Sequence, residues 1–289
     1  MTTPITAFKV AVPAEELEDL RRRLAATRWP DSQTCEGWDQ GMPLAYTREL
    51  ARYWLEDYDW ARFETKLNAW PQFLTAIDGM DIHFIHRRSP HENALPLIIS
   101  HGWPDSVAGL HKVIDALADP TAHGGDARDA FHVVIPSLPG FGFSGKPATS
   151  GTTVEKIGAT WGKLMARLGY PRYVAQGGDW GSMITHSMGL TEAGHCAGIH
   201  VNLPIVKPDP DTMNALTAYE RSALEAIDFY RDWDSGYSKI QSTRPQTLAY
   251  GLADSPVGQM AWIVEKFYSW TDCERDGISH PENVMSRDE

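Results

Sequence analysis

One heptapeptide constrains this chain more than any other part of it: Gln176-Gly177-Gly178-Asp179-Trp180-Gly181-Ser182. The run before it, Arg172 to Gln176, is short and apolar-rich and reads as a buried strand. After it, Met183, Ile184 and Met188 recur at helical spacing. Glycines crowded around one polar residue, between a strand and a helix, describe a tight turn that lifts that side chain into a cleft. The pattern is G-x-S-x-G with Asp179 in the serine's place. A serine alkoxide suits attack on a carbonyl. A carboxylate suits displacement at a saturated, electrophilic carbon, which gives an ester of the enzyme. The competing reading is that Asp179 only caps the following helix, since Asp is a good N-cap.

The segments around the heptapeptide alternate between strand and helix. Pro96 to Ser100 is a short apolar run, followed by His101-Gly102-Trp103-Pro104 and a helical set at Leu110, Val113, Ile114 and Leu117. Phe131 to Pro136 reads as the next buried strand and leads into a Gly/Pro loop, Leu138 to Pro147, rich in rings. Val154, Ile157, Trp161, Leu164, Met165 and Leu168 mark one face of a long helix, and Ile199 to Leu203 reads as a further strand. Such alternation predicts βαβ units and a mostly parallel sheet, with a site at the strands' carboxyl ends. Asp179, the His101 loop and the Leu138 loop would gather there.

Upstream, Ile77 to His86 alternates around Asp78-Gly79, a hairpin signal. Residues 1 to about 75 otherwise read as helical and irregular. Leu17, Leu20 and Leu24 behind Pro13 predict one amphipathic helix, and Leu50, Tyr53, Trp54 and Tyr58 a second before Trp60. Downstream of Pro204 the rhythm breaks into aromatic helical stretches, which suits an inserted lid that excludes water. The expected organisation is an N-terminal helical segment wrapping the core (1–75), an α/β core (76–203), a helical lid (204–275) and a return toward the core (276–289).

Composition narrows the partners. A net charge of −12 argues against nucleic acid or an anionic membrane. Cys35, Cys196 and Cys273 are odd in number and scattered, which implies neither a disulfide framework nor a metal cluster and fits a reducing cytosol. No apolar run reaches transmembrane length, and Met1-Thr2-Thr3-Pro4-Ile5 lacks a signal peptide's regions. The expectation is a cytoplasmic protein without cofactor or metal.

Taken together, these motifs resemble the epoxide hydrolases of the α/β-hydrolase fold, of the microsomal and juvenile-hormone type. The resemblance spans nearly the whole chain. It includes Trp54 to Trp60, Pro71 to Phe73, Ile77 to Gly79, Ile82 to His86, His101 to Pro104, Gly142 to Pro147 and Gly177 to Ser182. In the lid it covers Gly236-Tyr237, Thr243 to Thr247 and Asp254 to Gly258. One departure is Asp105, where the family pattern usually has glycine. The extra carboxylate could perturb the loop or simply point to solvent, and the plainer reading is solvent.

The resemblance implies a small apolar epoxide and water as partners, opened to a vicinal diol. Asp179 would attack one epoxide carbon, and Tyr237 in the lid would protonate the leaving oxygen. The backbone N–H groups of Trp103 and Trp180 would stabilise the oxyanion formed when water cleaves the ester. His101 is read as a buttress of its loop. The Trp103–Pro104 bond is a candidate for cis geometry, as X-Pro bonds are.

The second half-reaction needs a histidine oriented by a carboxylate, supplied in this fold after the lid. His280 precedes any returning strand, and His186, His195 and His200 fit structural slots, so no base is assigned. Ser286 to Glu289 is a capping box that announces a further helix. The expectation is therefore a truncated fold lacking its last strands, with an exposed sheet edge and a tendency to form homo-oligomers. The alternatives are an inactive relative without the base, or a haloalkane dehalogenase, which also uses an elbow aspartate.

Overall fold

The computed structural model describes residues 4–206 and 208–289. The signal-peptide reading of residues 1–3 falls outside them. In chain order the elements begin with β1 (Thr6–Phe8), α1 (Ala14–Ala25), α2 (Leu44–Glu56), α3 (Trp60–Leu67), β2 (Gln72–Ile77) and β3 (Met80–Arg87). Then come β4 (Leu95–Ser100), α4 (Ile114–Ala118), β5 (Phe131–Pro136), α5 (Val154–Arg167), β6 (Tyr173–Gly177), α6 (Trp180–Thr191) and β7 (Cys196–Val201). The remainder is α7 (Ala218–Phe229), α8 (Gly236–Thr243), α9 (Pro245–Asp254), α10 (Pro256–Ser269) and the short pair β8 (Glu274–Arg275) and β9 (Ile278–Ser279). Contacts gather these into two compact units: residues 4–11 with Trp60–Val206, and Val12–Asp59 with residues 208–289.

The first unit is built on one sheet of order β1-β2-β3-β5-β4-β6-β7. The pairs β1–β2, β2–β3 and β3–β5 are antiparallel, whereas β4–β5, β4–β6 and β6–β7 are parallel. The β2–β3 hairpin turns at Asp78 and Gly79, both at positive φ, as the Asp-Gly signal requires. Ile82, Phe84, Ile98 and Val134 meet Trp161, Leu164 and Met165 of α5 and Ile184 and Met188 of α6 in one continuous core. That apolar seam is what fixes both helices against the sheet. In the β4–β6 register Ser100 pairs with Gly177. The carboxyl ends of the two strands thus lie side by side, and the loops that leave them are neighbours.

Three local readings change. The helix expected through Leu110 and Leu117 is broken into a 3-10 turn, Val107–Leu110, and α4; Ser106 accepts the Ala108 N–H at 3.1 Å and starts the turn early. β7 begins at Cys196 and ends at Val201, ahead of the apolar run that predicted it, because backbone pairing with β6 begins at Cys196 and resumes at Gly198 past an irregularity at Ala197. In the stretch read as helical and irregular, β1 and most of β2 are strands, held by Thr6–Leu74 and Phe8–Gln72 pairing that no periodicity announces.

The second unit is helical, with the small β8–β9 ribbon. Leu24 of α1, Ala51 of α2 and Val257 and Met260 of α10 form its core, with Leu20, Trp54 and Val264 packed against it. Helices α1 and α2, read from sequence as a wrap around the α/β core, pack in the second unit with α10. α7 starts on a capping box in which Thr217 and Glu220 satisfy each other's backbone groups. Among the described residues no helix is long and apolar enough to cross a membrane.

Candidate active site

Asp179 sits between β6 and α6 at φ 51° and ψ −126°, one of three non-glycine residues at positive φ among those described. Holding a residue with a Cβ there costs of order 1–3 kcal/mol and persists only where the surroundings enforce it. The surroundings are backbone: a Cβ on Gly181 would lie 1.9 Å from the Ser100 carbonyl oxygen, so only glycine lets α6 approach the end of β4 this closely. Asp179 stands at the N-cap of α6, yet its side chain makes no capping hydrogen bond. The helix-cap reading therefore falls. Instead Asp179 Oδ1 accepts the Trp103 N–H at 2.8 Å, across from the neighbouring loop. Oδ2 has no hydrogen-bond partner among the described residues.

The loop that supplies this N–H is braced from below. His101 is buried; its Nε2 accepts the Leu138 N–H at 3.1 Å, which leaves the proton on Nδ1 to be donated to the Gly102 carbonyl at 3.1 Å. Burial pushes the His101 titration below the usual histidine range, so the ring stays neutral and the two bonds persist. Its face meets Phe141 edge-on at 5.5 Å. His101 thus ties the Trp103 loop to the Leu138 loop. The Trp103–Pro104 peptide is cis. Asp105 is exposed, as the plainer reading expected, and accepts the Ser106 N–H at 2.6 Å.

Trp180 opens α6 beside Asp179; its N–H belongs to the first turn, where no intrahelical acceptor exists, and its ring is exposed. Asp179, Trp103 and Trp180 are thus brought together in the first unit. Tyr237 belongs to α8 in the second unit. Its hydroxyl shares a 3.0 Å hydrogen bond with that of Tyr230, and its ring meets Trp270 edge-on at 5.1 Å. Among the described residues no histidine hydrogen-bonds Asp179. His280 Nδ1 accepts the Glu282 N–H at 3.2 Å, and the ring packs against Tyr46, a structural use.

Sequence reasoning missed several supports. Trp161 is fully buried beneath the site and donates its indole N–H to Ser100 Oγ at 3.0 Å. A Cβ on Gly102 would fall 2.3 Å from Asp179 Oδ1. Nothing local in the sequence signals either contact. Lys266 was also passed over, although the Glu265-Lys266 pair inside the otherwise apolar run Met260 to Tyr268 is a signal that could have been read.

Comparison with known proteins agrees with this geometry. The family described as "Epoxide hydrolase N terminus" matches residues 5–110, and the one described as "alpha/beta hydrolase fold" matches residues 96–242, just over half of the chain. A Stigmatella aurantiaca protein with a provisional epoxide hydrolase name is 52% identical over 285 residues, covering 99% of this chain and 64% of that protein. Epoxide hydrolase 1 of Sus scrofa is 36% identical, covering 93% of this chain and 63% of its own length. The chain therefore spans somewhat under two thirds of these curated relatives. Among solved structures, Aspergillus niger epoxide hydrolase superposes with a TM-score of 0.84 at 29% identity, covering 92% of this chain and 70% of that one. Juvenile hormone epoxide hydrolase of Bombyx mori does so at 0.80 and 29%, covering 93% and 67%. An aspartate elbow on a mixed sheet, with β5 to β7 inside one family's match and β1 to β4 inside the N-terminal match, leaves one assignment: the chain belongs to the α/β-hydrolase fold family.

Proposed function

We propose that this protein opens an apolar epoxide to a vicinal diol through an ester on Asp179. Oδ2 attacks a ring carbon in line; the C–O bond breaks, and the ring oxygen takes the phenolic proton of Tyr237. Oδ1 then becomes the carbonyl oxygen of the ester. Water adds to that carbonyl, and the charge formed on Oδ1 is met by the Trp103 N–H that already lies 2.8 Å away, with the Trp180 N–H as second donor. Collapse of the tetrahedral species breaks the ester C–O bond and restores the carboxylate; one proton of the water goes to the departing diol oxygen and the other returns to the Tyr237 phenolate. The observation that carries this reading is the elbow: a strained carboxylate, withdrawn from helix capping, with one oxygen held by a main-chain donor and the other unpartnered among the described residues. Water addition also needs a general base, which no described histidine bonded to Asp179 supplies, whereas ring opening needs only the carboxylate and the acid. The acidic charge and scattered cysteines support a cytoplasmic location.

The test is intact-protein mass spectrometry after incubation with styrene oxide, beside Asp179→Asn. Either an adduct that maps to Asp179 or catalytic diol is expected from the parent protein, and neither from the variant. A folded parent that gives neither product, or a variant that gives either, would overturn the proposal.

A further inference from the structure

A buried lysine needs a reason, because taking an ammonium out of water costs several kcal/mol before its partners compensate. Lys266 on α10 is only 6% exposed. Its Nζ bonds Asp234 Oδ1 at 2.8 Å and Glu265 Oε2 at 2.8 Å. The same ammonium lies 4.9 Å from the centroid of the Tyr237 ring and 5.5 Å from that of Trp270. Asp234 closes the set, since its Oδ2 accepts the Trp270 indole N–H at 2.8 Å. The two carboxylate bonds outweigh the burial that opposes charge and push the Lys266 titration above its usual range, so the cation persists. All of these groups lie within the second unit.

A purely stabilising role would not explain why the cation is aimed at two aromatic faces. An apolar side chain on α10 would fill the same space without desolvating a charge. What the ammonium adds is direction: attraction to the ring faces holds Tyr237 against Trp270, while Asp234 fixes both the cation and the indole. The phenol is left with its rotation restricted and its hydroxyl on Tyr230. We infer that Lys266 is a positioning residue for epoxide opening, clamping the Tyr237 ring so that its hydroxyl is held in one direction for proton donation. This inference rests on the proposed role of Tyr237.

The test is a double-mutant cycle on the rate at which the Asp179 adduct forms from styrene oxide, read by quenched intact-mass measurements on the full chain. Lys266→Met and Tyr237→Phe should each slow adduct formation by between about tenfold and about a hundredfold, the range expected when a reacting group is misplaced. The combined variant should be no slower than Tyr237→Phe alone, because Lys266 acts only through the phenol. Lys266→Arg, which keeps a cation over the rings, should recover most of the rate. A merely structural lysine would slow the Tyr237→Phe background as much as the parent. That outcome, or a Lys266→Met rate equal to the parent's beside a slow Tyr237→Phe, overturns the inference and leaves the proposed function standing. If Tyr237→Phe reacts at the parent's rate, or the folded parent forms neither adduct nor diol, the role of Tyr237 falls and this inference falls with it; if the parent forms diol without a lasting adduct, the same cycle is read on the rate of diol formation. Should Lys266→Met fail to fold, Asp234→Asn, which frees one side of the ammonium, is read by the same criteria.

Discussion

Acidification from about pH 7 to about pH 5 should cost the first unit about 4 kcal/mol of stability, through two buried histidines of β3. His83 is fully buried, with Nε2 against Gln72 Oε1 at 2.9 Å and Nδ1 against Ser137 Oγ at 2.9 Å. The glutamine oxygen can only accept, so the proton sits on Nε2 and Nδ1 accepts from the serine. A second proton on Nδ1 would break that bond. Burial lowers the His83 titration from 6.5 to about 4, and burial, helped by Arg88 and His132, does the same for His86. The sign follows from which state takes the proton. Below 6.5 the unfolded chain binds it while the folded chain does not until about 4, so stability is complete above 6.5 and drains as pH falls through this window. At about pH 5 the difference is roughly 1.5 pH units per histidine, or about 2 kcal/mol each. That is a sizeable share of the 5–15 kcal/mol typical of a domain. The assay is urea unfolding at the two pH values, followed by hydrogen exchange in peptides from β3 so that the second unit does not contribute. His83→Gln, whose amide can donate to Gln72 and accept from Ser137 without titrating, should remove about half of the pH dependence. Unchanged stability between the two pH values, or full acid sensitivity in His83→Gln, would refute the reasoning.

Two substitutions probe the site from below. Gly102→Ala would put a methyl 2.3 Å from Asp179 Oδ1, so the carboxylate and the Trp103 loop must part. Adduct formation on Asp179 should fall about a hundredfold while circular dichroism stays unchanged, because the displaced groups are local. Ser100→Ala strands the buried Trp161 indole N–H and should cost about 1–3 kcal/mol in urea unfolding. A loss below a few tenths of a kcal/mol would mean that the indole finds another acceptor.

Legibility followed sequence locality. The elbow could be read because its strand, turn and helix are contiguous and glycine use is dictated by backbone crowding. β5 and α5 were readable for a similar reason, since an apolar run and a 3.6-residue stripe each carry their own signal. β1 was not: three residues at a sheet edge contain no period, and their pairing with residues 72–74 is a long-range event. The Trp103 N–H was expected to meet an oxyanion, but its bond to the resting carboxylate depends on the Ser100–Gly177 register, which no local pattern encodes. The aromatic cage around Tyr237 was hidden in the same way, since Asp234 lies 32 residues before Lys266 and 36 before Trp270.

The two-segment make-up of the second unit has a consequence for how the chain is made. Leu24 and Ala51 emerge from the ribosome long before Val257 and Met260, the residues that cover them. Leu24 and Met260 are 236 positions apart (260 − 24), a gap that translation at about 5–20 residues per second bridges in roughly 10–50 s. During that interval α1 and α2 carry apolar faces whose α10 partners are not yet synthesised, while the strands of the first unit are emerging. The nascent chain must therefore complete its middle while its early helices wait, which makes α1 and α2 the natural stretch for a chaperone to hold.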